Sequence, residues 1–282
     1  MRIGILYDHI RWEEKALFDA IRRLGHELVP IQVNKKTFWL TEPNGFSSLD
    51  FAVQRCVSFY RAISSTAILE EQGIKVVNTF NVIRDCEDKL YTTLKLSRNG
   101  IPVPKTAVSF SRETCLNVAE KLGYPLIVKP IYGSWGRMVS RALDRDSLLE
   151  ILDFREYMQS PHFKVHYLQE YIDKPSRDIR AFYFWGEVPA AIYRVSSSWK
   201  TNTALGGVAV EAKLDRELVE MVERSGEVMG GGVLGIDILE SKDGRYFVSE
   251  VNAIPEFRNT VRVTGKDLAG IMIESTIRNI RR

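Results

Sequence analysis

The sequence has few cysteines among its 282 residues, and it has no long apolar segment. The three cysteines, Cys56, Cys86 and Cys115, are odd in number and far apart, which disfavours a disulfide framework or a cysteine zinc site and favours a reducing compartment. No run reaches the roughly eighteen apolar residues of a membrane-spanning helix, and the first residues lack the layout of a signal peptide. We therefore predict a cytoplasmic protein that does not enter a membrane.

Several sequence motifs are also missing. The formal net charge of +3 is too small to indicate a nucleic-acid partner. No Gly-x-Gly-x-x-Gly follows the first apolar segment, so the N-terminal half is not a standard dinucleotide site. The four histidines lack metal-ligand spacing, and neither Gly-x-Ser-x-Gly nor a Cys–His nucleophile pairing is visible. The protein therefore offers no recognisable nucleophile of its own.

The order of apolar segments predicts a mixed α/β and α+β fold. Strands alternate with helices from Arg2 to Asn78, which is typical of a parallel sheet covered by helices. Beyond it we predict a helix over Asn81–Asn99, hairpins over 178–195 and 235–252, an irregular segment over Ile254–Thr264 and a terminal helix over Asp267–Ile280. The predicted domains are an N-terminal parallel α/β domain over 1–84, a central subdomain over 85–166 and a C-terminal subdomain over 167–282.

The predicted hairpin over 235–252 carries two carboxylates and an amide. Glu250 and Asn252 are two residues apart on one strand and face the same way, and the Asp-Gly turn brings Asp237 opposite them. Oxygen ligands without histidine or cysteine suit a hard cation such as Mg²⁺. On this stretch alone, a metal site and an ordinary hairpin with a solvated face are about equally supported.

Two lysines indicate a phosphate site. Lys129 ends an apolar strand and precedes a loop that contains Gly133, whose backbone could approach phosphates closely. Lys89 stands near a predicted helix start, where anions are favoured. The alternative for Lys129 is a lysine at a sheet edge whose ammonium reaches water, and the alternative for Lys89 is a solvated helix lysine.

Further polar residues support the same interpretation. Glu170 precedes Tyr171 and Ile172, a pattern that suits an adenine and ribose edge. Arg180 and Arg194 on predicted strands suit a bidentate grip on phosphate or carboxylate, although an exposed sheet face is a serious alternative. Asn202 with Gly206 and Gly207 could cover a γ-phosphate. Together these signals suit phosphoryl transfer to a carboxylate substrate.

In this order, the motifs resemble the RimK-like ATP-grasp ligases over essentially the whole chain. The matching segments are Asp88-Lys89, Ile127-Val128-Lys129-Pro130, Gln169-Glu170-Tyr171-Ile172, Asp178-Ile179-Arg180, Lys200-Thr201-Asn202-Thr203 with Gly206-Gly207, Gly235-Ile236-Asp237 and Ser249-Glu250-Val251-Asn252. Three further segments resemble the LysX/ArgX group, which attaches an amino acid to the small acidic carrier protein LysW: Gly133-Ser134-Trp135-Gly136-Arg137, Ser198-Trp199 and Glu256-Phe257-Arg258-Asn259-Thr260.

The resemblance implies an ATP-grasp architecture of three subdomains, with ATP between the central and C-terminal ones. Lys89, Lys129 and Arg180 would contact the nucleotide, under a cover formed by Gly133, Ser134, Trp135, Gly136 and Arg137. Glu170, Tyr171 and Ile172 would hold adenine, Asp178 the ribose side, and Asp237, Glu250 and Asn252 two Mg²⁺ ions.

The resemblance also implies a reaction. The C-terminal glutamate side chain of LysW would be phosphorylated to an acyl phosphate, which Arg194 and Asn202 would stabilise, and the α-amine of the incoming amino acid would attack it. The amino-acid pocket would comprise Arg194, Thr203, Ala204, Gly206, Gly207, Glu256, Phe257, Arg258, Asn259 and Thr260, with Arg258 on a side-chain carboxylate.

Within this group Asn259 and Thr260 favour glutamate and arginine biosynthesis. The alternatives are 2-aminoadipate in lysine biosynthesis, both substrates, another acceptor, or a nucleotide-binding regulator without turnover. The family also implies a homo-oligomer, a dimer or a tetramer, for which the apolar face of the terminal helix could serve.

Overall fold

A computed structural model describes residues 1–133, 136–201 and 206–281. Strands in this part of the chain form three sheets. The first sheet is parallel, as predicted, and its strand order is β2-β1-β3-β4. Its elements are β1 (Arg2–Tyr7), α1 (Trp12–Arg23), β2 (Glu27–Gln32), β3 (Phe51–Gln54), α2 (Phe59–Glu71) and β4 (Val76–Val77). In α1, Leu17, Ala20 and Ile21 are buried at helical spacing, so this face packs into the core.

The predicted helix over Asn81–Asn99 is wrong in one respect, because it is two helices. Helix α3 (Phe80–Glu87) ends at Asp88, which has an extended backbone, and α4 (Lys89–Arg98) begins directly after it. The Asp88 side chain accepts a hydrogen bond from the N–H of Leu90 at 2.8 Å and thereby caps α4. Both helices pack against the C-terminal sheet.

The central sheet is antiparallel and has the order β5-β8-β6-β7. Its elements are β5 (Thr106–Ser109), α5 (Arg112–Leu122), β6 (Leu126–Lys129), β7 (Ser140–Ala142), α6 (Arg145–Tyr157), a short 3₁₀ helix (Pro161–Lys164) and β8 (His166–Glu170). Leu126 and Val128 lie in the core beneath the helices, whereas Ile127 and Lys129 face a cavity on the other side.

A buried histidine of the central sheet should make the protein sensitive to acid. His166 accepts a hydrogen bond from Arg155 Nε at 3.2 Å, and burial, together with the Arg155 charge, lowers the pKa of His166 to about 4. The imidazole of His166 therefore binds a proton more tightly in the unfolded chain than in the folded one. Its contribution to stability is fully present above about pH 6.5 and is lost as the pH falls towards 4. We expect the free energy of unfolding to fall by about 2 kcal/mol between pH 7 and pH 5 from this group.

Urea unfolding at the two pH values would test this, with His166→Asn as the matched variant. Asparagine keeps an acceptor for Arg155 but does not titrate. Between pH 7 and pH 5 the variant should therefore lose about 2 kcal/mol less stability than the wild-type protein. Equal losses in both proteins would contradict the expectation.

The C-terminal sheet is antiparallel and has the order β11-β10-β9-β12-β13. Its strands are β9 (Arg177–Phe184), β10 (Ala191–Val195), β11 (Val208–Glu211), β12 (Val233–Glu240) and β13 (Tyr246–Asn252). The associated helices are α7 (Arg216–Met229), α8 (Arg258–Thr264) and α9 (Leu268–Ile280). The prediction of an irregular segment over Ile254–Thr264 is wrong, because residues 258–264 form α8. The Glu13 carboxylate accepts hydrogen bonds from the N–H groups of Phe257 and Arg258 at its start.

The terminal helix α9 packs on α1 of the N-terminal domain, and both contribute to one hydrophobic core. Its apolar residues, which include Leu268, Met272 and Ile273, are therefore buried within the chain. The suggestion that this face serves an oligomer interface is wrong. Among the described residues, no helix is both long and apolar enough to cross a membrane.

Strand β8 spans the predicted boundary between residues 166 and 167, and it hydrogen-bonds on both sides to central strands. We therefore propose the same three domains with the second boundary moved past Glu170.

Candidate active site

A row of alternating charges crosses the C-terminal sheet. Arg194 on β10 lies opposite Asp178 on β9, and Arg180 on β9 lies opposite Asp237 on β12. Arg194 Nε is 2.6 Å from Asp178 Oδ1, and its Nη2 is 3.1 Å from Asp237 Oδ2. Arg180 binds Asp237 through Nε and, at 2.8 Å, through Nη2. The two arginines and two aspartates therefore neutralise one another on one sheet face.

Asp237 is the centre of this row. Burial alone would raise the pKa of Asp237, but Arg180 and Arg194 outweigh burial and hold that pKa below its usual value. For Arg194, burial acts to lower the pKa, and the charges of Asp237 and Asp178 raise it above the usual range instead. Neither arginine lies on a solvated face, so that alternative is excluded for both.

The three predicted metal ligands lie on neighbouring strands. Asp237 pairs in register with Glu250 on β13, and Gly235 pairs with Asn252. Glu250 Oε1 is 3.1 Å from Lys89 Nζ, and the Asn252 amide nitrogen donates to the Gly235 carbonyl at 3.3 Å, so the amide oxygen is not used in this bond. Two carboxylates and an amide oxygen suit Mg²⁺, and protein cations supply the neutralisation that such an ion would bring. The described residues contain no group of three or more His, Cys, Asp or Glu side chains arranged to hold a metal ion.

A cavity of about 120 Å³ lies between the central and C-terminal sheets. Every predicted nucleotide-binding residue that the structure describes lines it except Arg180: Lys89, Lys129, Gly133, Gly136, Arg137, Glu170, Tyr171, Ile172 and Asp178. The predicted residues Ser134, Trp135 and Asn202 lie outside the described part of the chain. We name this space the nucleotide cavity.

Two features of the nucleotide cavity differ from the sequence expectation. The Glu170 carboxylate accepts a hydrogen bond from the backbone N–H of Lys105 at 2.6 Å, so it fastens the end of β8. The Arg141 guanidinium, which the sequence did not single out, lies over the rings of Tyr171 and Trp199 at 5.4 and 5.3 Å. Trp199 also lines the cavity.

The two lysines of the nucleotide cavity differ in their partners. Lys89 binds Glu250 and donates to the Gly133 carbonyl at 2.6 Å. Lys129 donates to Gln169 Oε1 at 2.7 Å and to Ser249 Oγ at 3.3 Å, and it makes no ion pair with any described residue. Burial therefore lowers the pKa of Lys129 to about 8. A phosphate placed here would supply the missing anion.

This pKa predicts a pH dependence of nucleotide binding. If bound phosphate keeps Lys129 charged, the affinity for Mg-ATP is highest below about pH 8. It falls as the pH rises above that value, by about tenfold at pH 9. Calorimetric titration with Mg-ATP at pH 7 and pH 9 would measure the change. Lys129→Arg should bind with little pH dependence, and Lys129→Met should bind weakly at both pH values. A wild-type affinity that is equal at pH 7 and 9 would contradict the assignment.

A second cavity, of about 380 Å³, lies between the C-terminal sheet and the N-terminal domain. We name it the substrate cavity, and the predicted residues that line it are Arg180, Arg194, Asp237, Glu250, Asn252, Glu256, Arg258, Asn259 and Thr260. The prediction that Phe257 lines the amino-acid pocket is wrong. Its side chain is 1% exposed and packs edge-on against Trp12, with ring centres 5.8 Å apart. Gly206 and Gly207 line neither cavity, and Thr203 and Ala204 lie outside the described residues.

The N-terminal domain holds the segment that carries Arg258, a role that the sequence did not reveal. Arg11 Nη1 is 3.0 Å from Glu256 Oε1, and Arg55 Nη1 donates to the Pro255 carbonyl at 3.0 Å. Glu14, fully buried, binds both arginines. These partners are about 200 to 245 residues apart in the sequence, so no local pattern could have identified them.

The two cavities meet at Arg194, Asp237 and Glu250, which line both of them. One cavity offers lysines for phosphates, and the other offers arginines for carboxylates. The meeting point combines cations with carboxylates, where a phosphoryl group and its acceptor could come together.

Known proteins resemble this chain over nearly its whole length. Residues 86–276 match the RimK-like ATP-grasp domain, and residues 3–84 match the LysX preATP-grasp domain. An α-aminoadipate–LysW ligase LysX of Sulfurisphaera tokodaii is 42% identical over 276 residues, which is 97% of each chain. The glutamate–LysW ligase ArgX of the same organism is 36% identical over 276 residues, again 97% of each chain.

Solved structures share the fold. The RimK domain ATP-grasp protein of Sphaerobacter thermophilus has a TM-score of 0.81 at 24% identity and covers 98% of this chain and 99% of its own. The D-alanine–D-alanine ligase of Bacillus anthracis complexed with ATP has a TM-score of 0.72 at 21% identity, covering 100% and 99%. The predicted ATP-grasp fold is confirmed. The chain belongs to the RimK-like ATP-grasp family and is an ATP-dependent amino-acid ligase.

Proposed function

We propose that this protein joins the α-amine of glutamate to the C-terminal glutamate side chain of the carrier protein LysW, in arginine biosynthesis. The runner-up is the same reaction with 2-aminoadipate in lysine biosynthesis, or with both amino acids. Relatives of both kinds cover the chain, and the LysX relative has the higher identity. The glutamate choice depends on Asn259 and Thr260, and one methylene is worth only about 1–3 kcal/mol of discrimination.

The observation that carries the proposal is an unpaired guanidinium in the substrate cavity. Arg11, Arg180 and Arg194 all bind carboxylates of the protein. Arg258 is exposed and makes no side-chain hydrogen bond or ion pair with the described residues. A dicarboxylic amino acid, which both candidate substrates are, would supply the side-chain carboxylate that Arg258 lacks.

The protein's own groups would act mainly by positioning and by charge neutralisation. Lys89 and Lys129 would hold the phosphates of ATP, and Arg194 would face the acyl phosphate at the junction of the cavities. ATP-grasp ligases act with Mg²⁺, and we propose two ions on Asp237, Glu250 and Asn252, where they would neutralise phosphate charge. The closing amine attack would release phosphate and leave the amide.

The direct test is ADP release with Mg-ATP and LysW, comparing glutamate and 2-aminoadipate at matched concentrations. Faster release with glutamate is the expected result and would support Asn259 and Thr260 as the selector. Faster release with 2-aminoadipate would replace the substrate but leave the site assignment intact. Comparable rates would mean that one enzyme serves both routes.

Two other outcomes would change the function itself. Release with neither amino acid would make LysW the wrong acceptor, and a mass spectrum of the product would identify another peptide or protein. Nucleotide binding without any turnover would instead indicate a regulatory protein. The dimer or tetramer suggested by the family, and the cytoplasmic location, stay predictions.

A further inference from the structure

Glu87 contributes a carboxylate to the substrate cavity at a position where the local structure does not favour a negative charge. It is the last residue of α3, it is half-buried, and it lines the substrate cavity. A carboxylate at the C-terminal end of a helix is disfavoured by the helix dipole. The nearby Glu250 charge repels it further. Burial and the Glu250 charge outweigh the favourable charge of Lys89, so helix stability does not account for this residue.

The other carboxylates that line the cavity are already satisfied. Glu256 binds Arg11, Asp237 binds Arg180 and Arg194, and Glu250 binds Lys89. Glu13 accepts two backbone N–H groups at the start of α8. The charge of Lys89 and, more weakly, the backbone N–H of Ala253 act to lower the pKa of Glu87, but Glu87 forms no ion pair with the described residues. Lys89 itself binds Glu250, so among the described residues Glu87 is a carboxylate and Arg258 a guanidinium without an ion-pair partner of its own.

We propose that Glu87 binds the α-ammonium group of the incoming amino acid. This inference rests on the proposed function and extends it to the group that becomes the nucleophile. An unpaired anion and an unpaired cation in one cavity complement a ligand with an ammonium and a distal carboxylate. The amine must approach the acyl phosphate at the junction of the cavities, and Glu87 lies close enough to Glu250 for their charges to interact.

The pairing holds for either candidate substrate, because glutamate and 2-aminoadipate share the same α-ammonium. Burial, with Glu250 as the second cause, raises the pKa of Glu87 to about 7. A bound ammonium would stabilise the charged carboxylate and oppose that rise.

Glu87→Gln tests the proposal while keeping an acceptor for the Ala253 N–H. We expect KM for the amino acid to rise by about 10–100-fold, with KM for ATP and for Mg²⁺ unchanged. Glu71→Gln, an exposed glutamate at the end of α2, is the matched control and should leave all three constants unchanged. A rise in KM for Mg²⁺ or ATP instead would make Glu87 a metal or nucleotide ligand and overturn the proposal.

Deamino analogues separate ammonium binding from a merely structural role. Glutarate and adipate lack the α-amine of glutamate and 2-aminoadipate, so their inhibition constants should be the same in wild-type enzyme and Glu87→Gln. Equal weakening of the amino acid and its analogue would show that Glu87 only holds the Ala253 segment.

The outcomes also distinguish this inference from the proposed function. A wild-type enzyme that releases ADP with an amino acid, beside a Glu87→Gln variant with unchanged KM, overturns the role of Glu87 alone. A wild-type enzyme that accepts no amino acid overturns both.

Discussion

Glu250→Gln should reduce ADP release by about 10²–10³-fold while the protein stays folded. Glutamine removes the charge that the metal assignment requires but keeps an acceptor for Lys89. The Glu250 side chain is 26% exposed, and Lys89 retains its hydrogen bond to the Gly133 carbonyl. Catalysis should therefore suffer far more than folding.

The measurement is initial-rate ADP release across a range of Mg²⁺ concentrations, with urea unfolding of the same samples. Glu274→Gln, an exposed glutamate on α9, is the control for the chemical change. Turnover that is unchanged in Glu250→Gln would refute the metal assignment. Loss of activity with an equally large loss of stability would show that Glu250 acts in folding.

Asp237→Asn, in contrast to Glu250→Gln, should strongly destabilise the protein. We expect it to lower the free energy of unfolding by about 3–5 kcal/mol. Asp237 is almost fully buried, and it binds both Arg180 and Arg194. Neutralising it leaves Arg180 without an anion and Arg194 with Asp178 alone. Uncompensated buried charge is far costlier than the loss of a surface pair.

A second substitution makes this expectation sharper. In Asp237→Asn with Arg180→Met, the stranded guanidinium is gone, so part of the lost stability should return. Urea unfolding of the two single variants and the double variant gives the coupling energy. Additive losses would mean that Arg180 and Asp237 do not depend on each other. Because we expect Asp237→Asn to disturb folding, Glu250→Gln is the better test of the metal site.

The nucleotide cavity was largely predictable, because its residues come as short local motifs. Lys129 ends one apolar strand, Glu170 ends another directly before Tyr171 and Ile172, and alternation along a strand decides which side chains share a face. The Asp-Gly turn also fixed the pairing of Asp237 with Glu250, which the register confirms. The roles of these residues in binding ATP and metal stay predictions.

The substrate cavity was only half predictable. The segment from Glu256 to Thr260 was recognised as a motif, but it was expected to be irregular and to direct Phe257 at the substrate. Phe257 lies in the core instead, because the N-terminal domain receives its ring beside Trp12. Glu13, which is far away in the sequence, accepts hydrogen bonds from the N–H groups of Phe257 and Arg258 at the start of α8.

The sequence by itself determined the family, the alternation of strands and helices, and the residue types that we propose to bind ATP, since each is expressed in local spacing. Only the tertiary structure decided which charges neutralise one another and which are left unpaired. Arg180 binds Asp237, Arg11 binds Glu256, and Arg258 and Glu87 have no ion-pair partner among the described residues. The reason is that ion pairing depends on distances between separate elements, and those distances exist only once the three sheets have packed together.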